Sequence, residues 1–292
     1  MVTSPSSWRV YQFRHLGVVG SRAPVGARGR KVNATARRGG CQQVPHHAES
    51  DGYARRQMPT DRRVQRVFEV LRHRQSDLTV VAEDVYKPHN LSAMMRSCDA
   101  VGIGRVHAIH PTGGIPTFIS SSASAHKWVE LVEHHDAGAA LDALRGEGMQ
   151  ILAAHLSDQA IDYRDVDYVR PTAILFGNER SGVSPASAAR VDAHVIVPML
   201  GMVQSLNVSV AAAVILFEAQ RQRRAAGRYD TPSLAAHERN ELAFRWLYPE
   251  RAAMLDARGE ALPYLREDGS ETPAEEAPAG AETTSGREAS VS

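Results

Sequence analysis

Val195-Ile196-Val197-Pro198-Met199-Leu200-Gly201-Met202-Val203-Gln204-Ser205-Leu206-Asn207-Val208-Ser209 is the stretch that decides how the chain folds. A short apolar strand runs into Pro198, a loop follows, and a helix opens at Ser205 and continues across 206–222. Strand, polar loop and helix in that order form one unit of an α/β fold. Upstream the alternation recurs, with strands at 78–85, 105–110, 128–133, 150–156, 172–176 and 194–197 and helices at 90–101 and 136–147. This predicts a mostly parallel sheet covered by helices. Gly102 and Gly148 fall just past two helices as C-terminal caps, Asp136 stands where a third begins, and Pro88 precedes the helix that opens near Asn90. In such sheets ligands bind beyond the carboxyl ends of the strands.

Three segments at those ends carry polar residues that a core would not select. The first is Lys87-Pro88-His89-Asn90-Leu91-Ser92-Ala93-Met94-Met95-Arg96-Ser97, in which Asn90 can cap the helix and Arg96 calls for an anion. The second is Phe176-Gly177-Asn178-Glu179-Arg180-Ser181-Gly182-Val183-Ser184, whose two glycines let backbone approach a ligand closely. The third is the 195–209 segment itself. Each alone reads as a cap or a turn. Their joint order is far more specific.

In this order and near these separations, the three segments resemble the motifs of the SpoU family of SPOUT-class RNA 2'-O-methyltransferases, and the match extends over about 58–266. Lys87 to Asn90, His155 to Asp158, Gly201 to Ser209 and Glu218 to Arg223 resemble in particular the branch that methylates guanosine 18 in the D-loop of tRNA. The resemblance implies a C-terminal trefoil knot, in which the last strand–loop–helix passes through a preceding loop to build an S-adenosylmethionine pocket. It also implies a homodimer with its active sites at the subunit boundary. Arg96 takes the place of the family's catalytic arginine, close to the nucleotide's phosphate and 2'-hydroxyl. A guanidinium stays protonated and offers no lone pair, so a clamp on the phosphate and the developing alkoxide suits it better than a general base. Glu179 is the alternative base, or a carboxylate that orients Arg96 through a bidentate pair. Asn90, Ser205 and Asn207 supply neutral hydrogen bonds. The cofactor candidates are Ala154, His155 and Leu156, then Gly177, then Val197, Pro198, Ser205 and Leu206, and the chemistry requires no metal.

Charge fits a nucleic-acid partner only locally. The chain has 292 residues, with 34 Lys+Arg against 33 Asp+Glu and 43% apolar residues, enough for a sizeable core. Ten of the basic residues lie in residues 1–57 beside Glu49 and Asp51 alone, which reads as a basic disordered arm, a targeting leader, or a start placed upstream of a true one at Met58. Residues 267–292 carry seven acids against Arg287 and read as a solvated acidic tail. The 58–266 unit between them is about neutral. Two helical stretches within it are basic: one at 61–74 with Arg62, Arg63, Arg66, Arg72 and Arg74, the other at 218–228 with Arg221, Arg223 and Arg224. Such stripes are either solvated faces or grips for tRNA phosphates. A further helix is predicted from Ser233 to about Asp256, with Phe244, Trp246, Leu247 and Tyr248 packing rather than stacking on bases.

Other readings are weaker. Gly177 to Gly182 lacks the Lys-Ser/Thr pair of a phosphate loop. His107 and His110 point to opposite faces of one strand and cannot clamp one metal together. Cys98 reads as a small core residue, and two cysteines in all suit a reducing compartment, so a cytoplasmic protein without a membrane span is expected. Two alternatives stay open: a methyltransferase for ribosomal RNA or another tRNA nucleotide, and a catalytically silent RNA-binding protein of the same knotted fold. Ribosomal enzymes of this kind usually carry a folded N-terminal RNA-binding domain, and 1–57 looks too unstructured to be one.

Overall fold

The computed structural model describes residues 59–110 and 125–272. The expected arm at 1–57, with the alternative start at Met58, lies outside the described residues, as does the expected tail beyond residue 272.

Seven parallel strands form the central sheet: β1 (Leu78–Glu83), β2 (Arg105–Ile109), β3 (Glu130–His134), β4 (Gln150–Ala154), β5 (Ile161–Asp162), β6 (Thr172–Phe176) and β7 (Ala193–Ile196), in the order β3-β2-β1-β6-β4-β7-β5. Every residue of β1 and β6 is buried, as a parallel strand covered on both faces requires. Helices α1 (Asp61–Arg72), α2 (Pro88–Val101), α3 (Ala137–Gly146), α4 (Pro185–Ala188) and α5 (Val208–Ala225) follow in chain order. One face of the sheet packs against α2 and α5 through Leu91, Met94, Met95, Cys98, Ala212, Ile215, Leu216 and Ala219. The opposite face packs against α3 through Ala140, Leu141 and Leu144. The alanines of α5 thus serve close packing on its own domain, and Cys98 is a core residue as expected.

The caps hold their predicted places. Gly102 ends α2 at φ 91°, where a Cβ would lie 2.4 Å from the His73 carbonyl oxygen, and Asp136 accepts from the Ala139 N–H at 2.7 Å. Three expectations need correction, and one strand was not expected. The last core helix opens at Val208 rather than Ser205, because the Asn207 side chain accepts the Ser209 N–H and sets the start there. The single helix expected over 233–256 is two, α6 (Ala236–Leu247) and α7 (Pro249–Arg258). Pro249 has no N–H to give the preceding turn, so the chain bends at Tyr248 and restarts. Phe244 and Leu247 are buried, and Trp246 meets Trp128 edge-on at 5.1 Å, so these aromatics pack as expected. The boundary at 266 falls inside a hairpin of β8 (Tyr264–Leu265) and β9 (Glu271–Thr272), with Gly269 at its turn 3.2 Å, by its missing Cβ, from Val64 of α1. Asp268-Gly269 is the turn signature that marks it. The two-residue strand β5, which pairs with β7, has too few residues to show a period.

On the β2–β3 edge, His107 Nδ1 and His134 Nε2 lie 2.9 Å apart with their rings stacked at 5.1 Å. Burial first, then the charge of His134, pushes His107 down to about 4, with Arg105 adding to the shift and Glu130 opposing it. An unfolded chain protonates this ring near its ordinary pKa of about 6.5. Between these values the unfolded state holds the extra proton, so stability is complete above about 6.5 and is lost as pH falls toward 4. Denaturant midpoints at pH 7.5 and pH 5 should therefore differ, and in His107→Phe the difference should shrink. An equal drop in the variant would place the acid sensitivity elsewhere.

Candidate functional site

The strand order reverses beside β1: β2 and β3 lie on one side of it, and β6, β4, β7 and β5 on the other. The crevice at the carboxyl ends of the strands around such a reversal is where open α/β sheets bind ligands. All three polar segments arrive there. The first leaves β1 and enters α2, the second leaves β6, and the third leaves β7 and enters α5.

One chain of hydrogen bonds joins them. Asn90, 1% exposed in the first turn of α2, donates its amide to the Glu179 carboxylate, and its carbonyl oxygen accepts from Asn207 Nδ2 at 3.1 Å. Asn207 in turn accepts from the Ser209 N–H at 2.9 Å and the Ser209 hydroxyl at 2.6 Å. Asn90 is therefore no cap. Lys87 occupies the N-cap without a side-chain bond, Pro88 opens the helix, and the Asn90 amide is spent on the other two segments. An amide can do this because it donates and accepts at once.

Arg96 stands apart from this chain. It is exposed, and among the described residues it has neither a hydrogen-bond partner nor an ion-pair partner. The expected bidentate pair between Glu179 and Arg96 is absent, because Glu179 engages Asn90. Asn90 and Arg96 lie six positions apart on the helix, a turn of about 240° around the axis, so the two side chains leave α2 on different sides. Ser205 is exposed and makes no hydrogen bond among the described residues. Ala154 closes β4 and His155 and Leu156 follow it, Gly177 follows β6, and Val197, Pro198 and Leu206 follow β7, all at the same edge of the sheet. Gly177 also closes its own loop: a Cβ there would lie 2.1 Å from the Gly182 backbone. Asn178 and Gly182 exchange backbone bonds across that closure at 2.9 and 3.0 Å.

Two of the basic residues assigned to RNA are buried. Arg74 is 1% exposed and donates to the Ile103 carbonyl at 2.9 Å, and to Asp99 and the Trp128 carbonyl at 2.8 Å each, with its guanidinium 5.3 Å from the Trp246 ring. Arg223, with no exposed surface, bonds Gln75, Asp77 and the Tyr168 carbonyl. Neither can touch a phosphate. Arg62, Arg63, Arg66, Arg72, Arg221 and Arg224 are exposed, though Arg66 is paired with Glu69 and Arg221 with Glu218.

Residues 77–217 match the SpoU rRNA Methylase family, and residues 221–270 match the C-terminal region of SpoU rRNA methylases. A tRNA (guanosine(18)-2'-O)-methyltransferase of Thermus thermophilus is 54% identical over 188 residues, spanning 64% of this chain and 97% of that protein. The chain belongs to the SpoU methylase family. An Escherichia coli protein of the same description is 47% identical over 209 residues, 71% of this chain and 91% of its own length. Among solved structures, the A. aeolicus TrmH/SpoU tRNA modifying enzyme superposes with a TM-score of 0.61 at 40% identity, covering 65% of this chain and 97% of that one.

In this SpoU methylase, sequence reasoning misses how the Glu179 loop is held. Glu83, 3% exposed at the end of β1, accepts from the Ser184 N–H at 2.9 Å, the Ser184 hydroxyl at 2.7 Å and the Ser187 hydroxyl at 2.6 Å. Its neighbour Asp84 offers its carbonyl to Asn178 Nδ2 at 2.8 Å. The end of β1 thus grips the loop on both sides of Glu179. The available clue is an acid closing an otherwise uncharged buried run, Leu78-Thr79-Val80-Val81-Ala82-Glu83.

Proposed function

We propose that the chain transfers a methyl group from S-adenosylmethionine to the ribose 2'-hydroxyl of guanosine 18 in tRNA. The Glu179–Asn90–Asn207 chain carries this reading, since it ties three separate segments together at the ligand-binding edge of a SpoU methylase sheet. Relatives covered over nine-tenths of their length bear this activity in their names.

The residues present fit the methyl donor. Leu156, Leu200, Met202 and Val203, all at least 61% exposed, leave apolar side chains at the ends of β4 and β7. The Ser157 hydroxyl beside them is buried with no partner among the described residues. Apolar contacts with a few convergent polar atoms are what an adenosine requires. When bound, S-adenosylmethionine supplies an electrophilic methyl on a cationic sulfonium, which leaves as a neutral thioether. Backbone at 154–156, 177, 197–198 and 205–206 lines its site.

On the RNA side, the 2'-oxygen accepts the methyl and gives up its proton to a water or phosphate oxygen. Arg96 holds the adjoining phosphate and stabilises negative charge as it develops. Asn90, Asn207 and Ser205 orient the nucleotide and the loop by neutral hydrogen bonds, and Glu179 fixes Asn90. Arg96 leaves α2 on a different side from Asn90, which fits a site completed by a second copy of the chain, with a homodimer as the working form. The β7–α5 segment threads the preceding loop as a trefoil knot. Arg62, Arg63, Arg66, Arg72, Arg221 and Arg224 meet tRNA phosphates. No helix among the described residues is long and apolar enough to cross a membrane, and the enzyme works on tRNA in the cytoplasm.

Unmodified total RNA incubated with the protein and a labelled methyl donor tests the reading. Label on the ribose of guanosine 18 in tRNA is expected. Label on ribosomal RNA or on another tRNA nucleotide replaces the substrate, and no label despite cofactor binding makes the protein a silent RNA binder.

A further inference from the structure

We propose that Tyr86 is a stacking platform for an unstacked nucleobase at the rim of the site. The inference rests on the reading of the protein as an RNA ribose methyltransferase, and it adds a residue that positions the substrate.

Tyr86 lies three residues past the end of β1 and four before Asn90, and it is 49% exposed. A single exposed aromatic is ordinary. This one is held in place. Its hydroxyl donates to Asp84 Oδ1 at 3.2 Å, and one side of its ring leans on the buried His110 ring at 6.2 Å and 45°. Asp84 is itself fixed in the left-handed region at φ 53°, where a residue with a Cβ is uncommon. Its N–H bonds the Ile109 carbonyl at 3.0 Å, and its own carbonyl accepts from Asn178, next to Glu179. His110 Nδ1 lies 3.9 Å from the same Asp84 oxygen. The turn after β1 therefore spends a strained residue and a buried imidazole on presenting a phenol ring to solvent. Among the described residues its ring contact is with His110, and about half of the residue stays open to solvent. It stands at the sheet edge where Asn90, Glu179 and Asn207 meet.

A ribose hydroxyl within folded RNA reaches an enzyme when its nucleotide leaves the stack, and proteins hold such bases on aromatic faces. A pinned ring suits this better than a mobile one, since little freedom is lost on binding. Every base has a π-face, so the contact contributes affinity and position rather than base identity.

The test uses the full chain and a tRNA transcript carrying 2-aminopurine at position 18, with Tyr86→Phe, Tyr86→Leu and Tyr86→Ala. Phe keeps the ring and loses its tether; Leu keeps bulk and loses the π-face. In the wild type and Tyr86→Phe, bound 2-aminopurine fluorescence should be quenched by stacking. In Tyr86→Leu and Tyr86→Ala the quench should vanish, and on unmodified tRNA KM should rise about ten- to hundred-fold, with kcat changed less and cofactor affinity unchanged. Normal KM and normal quench in both Leu and Ala would overturn the proposal. A wild-type protein that labels no RNA would sink the enzymatic reading instead, while the quench comparison would still decide whether Tyr86 stacks.

Discussion

Arg96→Lys should lower the single-turnover rate of methyl transfer by about 10²–10³-fold, the usual cost of removing one group aimed at charge that develops in the transition state. Lysine keeps the charge but not the planar fork that holds two oxygens at once. Folding should be unaffected. The side chain is exposed and unpartnered among the described residues, and substitutions at such positions stay within about 0.5 kcal/mol. Cofactor affinity should also hold, because the residues assigned to the pocket lie on other segments. Rapid-quench label transfer, thermal melting and calorimetric titration with S-adenosylmethionine would read the three quantities on one preparation. Near-normal turnover in the lysine variant would remove Arg96 from the chemistry as clamp and as base alike. Mixing Arg96→Ala protein with a variant defective at Asn207 extends the test to the assembly. If each site draws residues from two copies, mixed dimers regain activity at one of their two sites.

The sheet was legible because its physics is local. Thr172 to Phe176 is a run with no exposed residue, and that pattern survives wherever the strand sits. Caps were legible for the same reason: Asp136 and Gly102 act on groups within a turn of themselves. Asn90 shows where local reading fails. Beside Pro88 at a helix start, an asparagine looks like a cap, yet its partners are 89 and 117 residues away. Glu83 is the same case, an acid whose three donors come from Ser184 and Ser187 across the sheet. In both, residue type announces a buried polar role and spacing cannot say with whom. The resemblance to the family supplied the importance of Asn90 but not its geometry, and it supplied nothing for Glu83.

Charge was the least legible property, and Arg223 beside Arg224 shows why. By sequence both belong to one basic stripe at the end of α5. In the fold, the Arg223 guanidinium ties that last turn to Gln75 at 2.9 Å, to the Tyr168 carbonyl at 3.0 Å and to Asp77, just before β1. Burial holds its pKa below the ordinary arginine value, with Asp77 acting in the opposite direction. Arg223→Ala would strand Gln75 and the Tyr168 carbonyl inside the protein and leave Asp77 to Arg228 alone. Breaking a buried pair from one side costs about 3–5 kcal/mol, which in a domain of this size lowers the melting midpoint by roughly 6–20 °C. Arg224→Ala, at an exposed position, should melt with the wild type and instead flatten the salt dependence of tRNA affinity by about one unit of log–log slope. Melting curves and filter binding at several salt concentrations would separate the pair. If Arg223→Ala proved as stable as wild type and lost only salt-dependent binding, the buried clamp would be wrong and the phosphate role first expected for Arg223 would return. If Arg224→Ala left the slope untouched, the α5 end would not touch RNA, and the exposed arginines of α1 would be left to carry the contact.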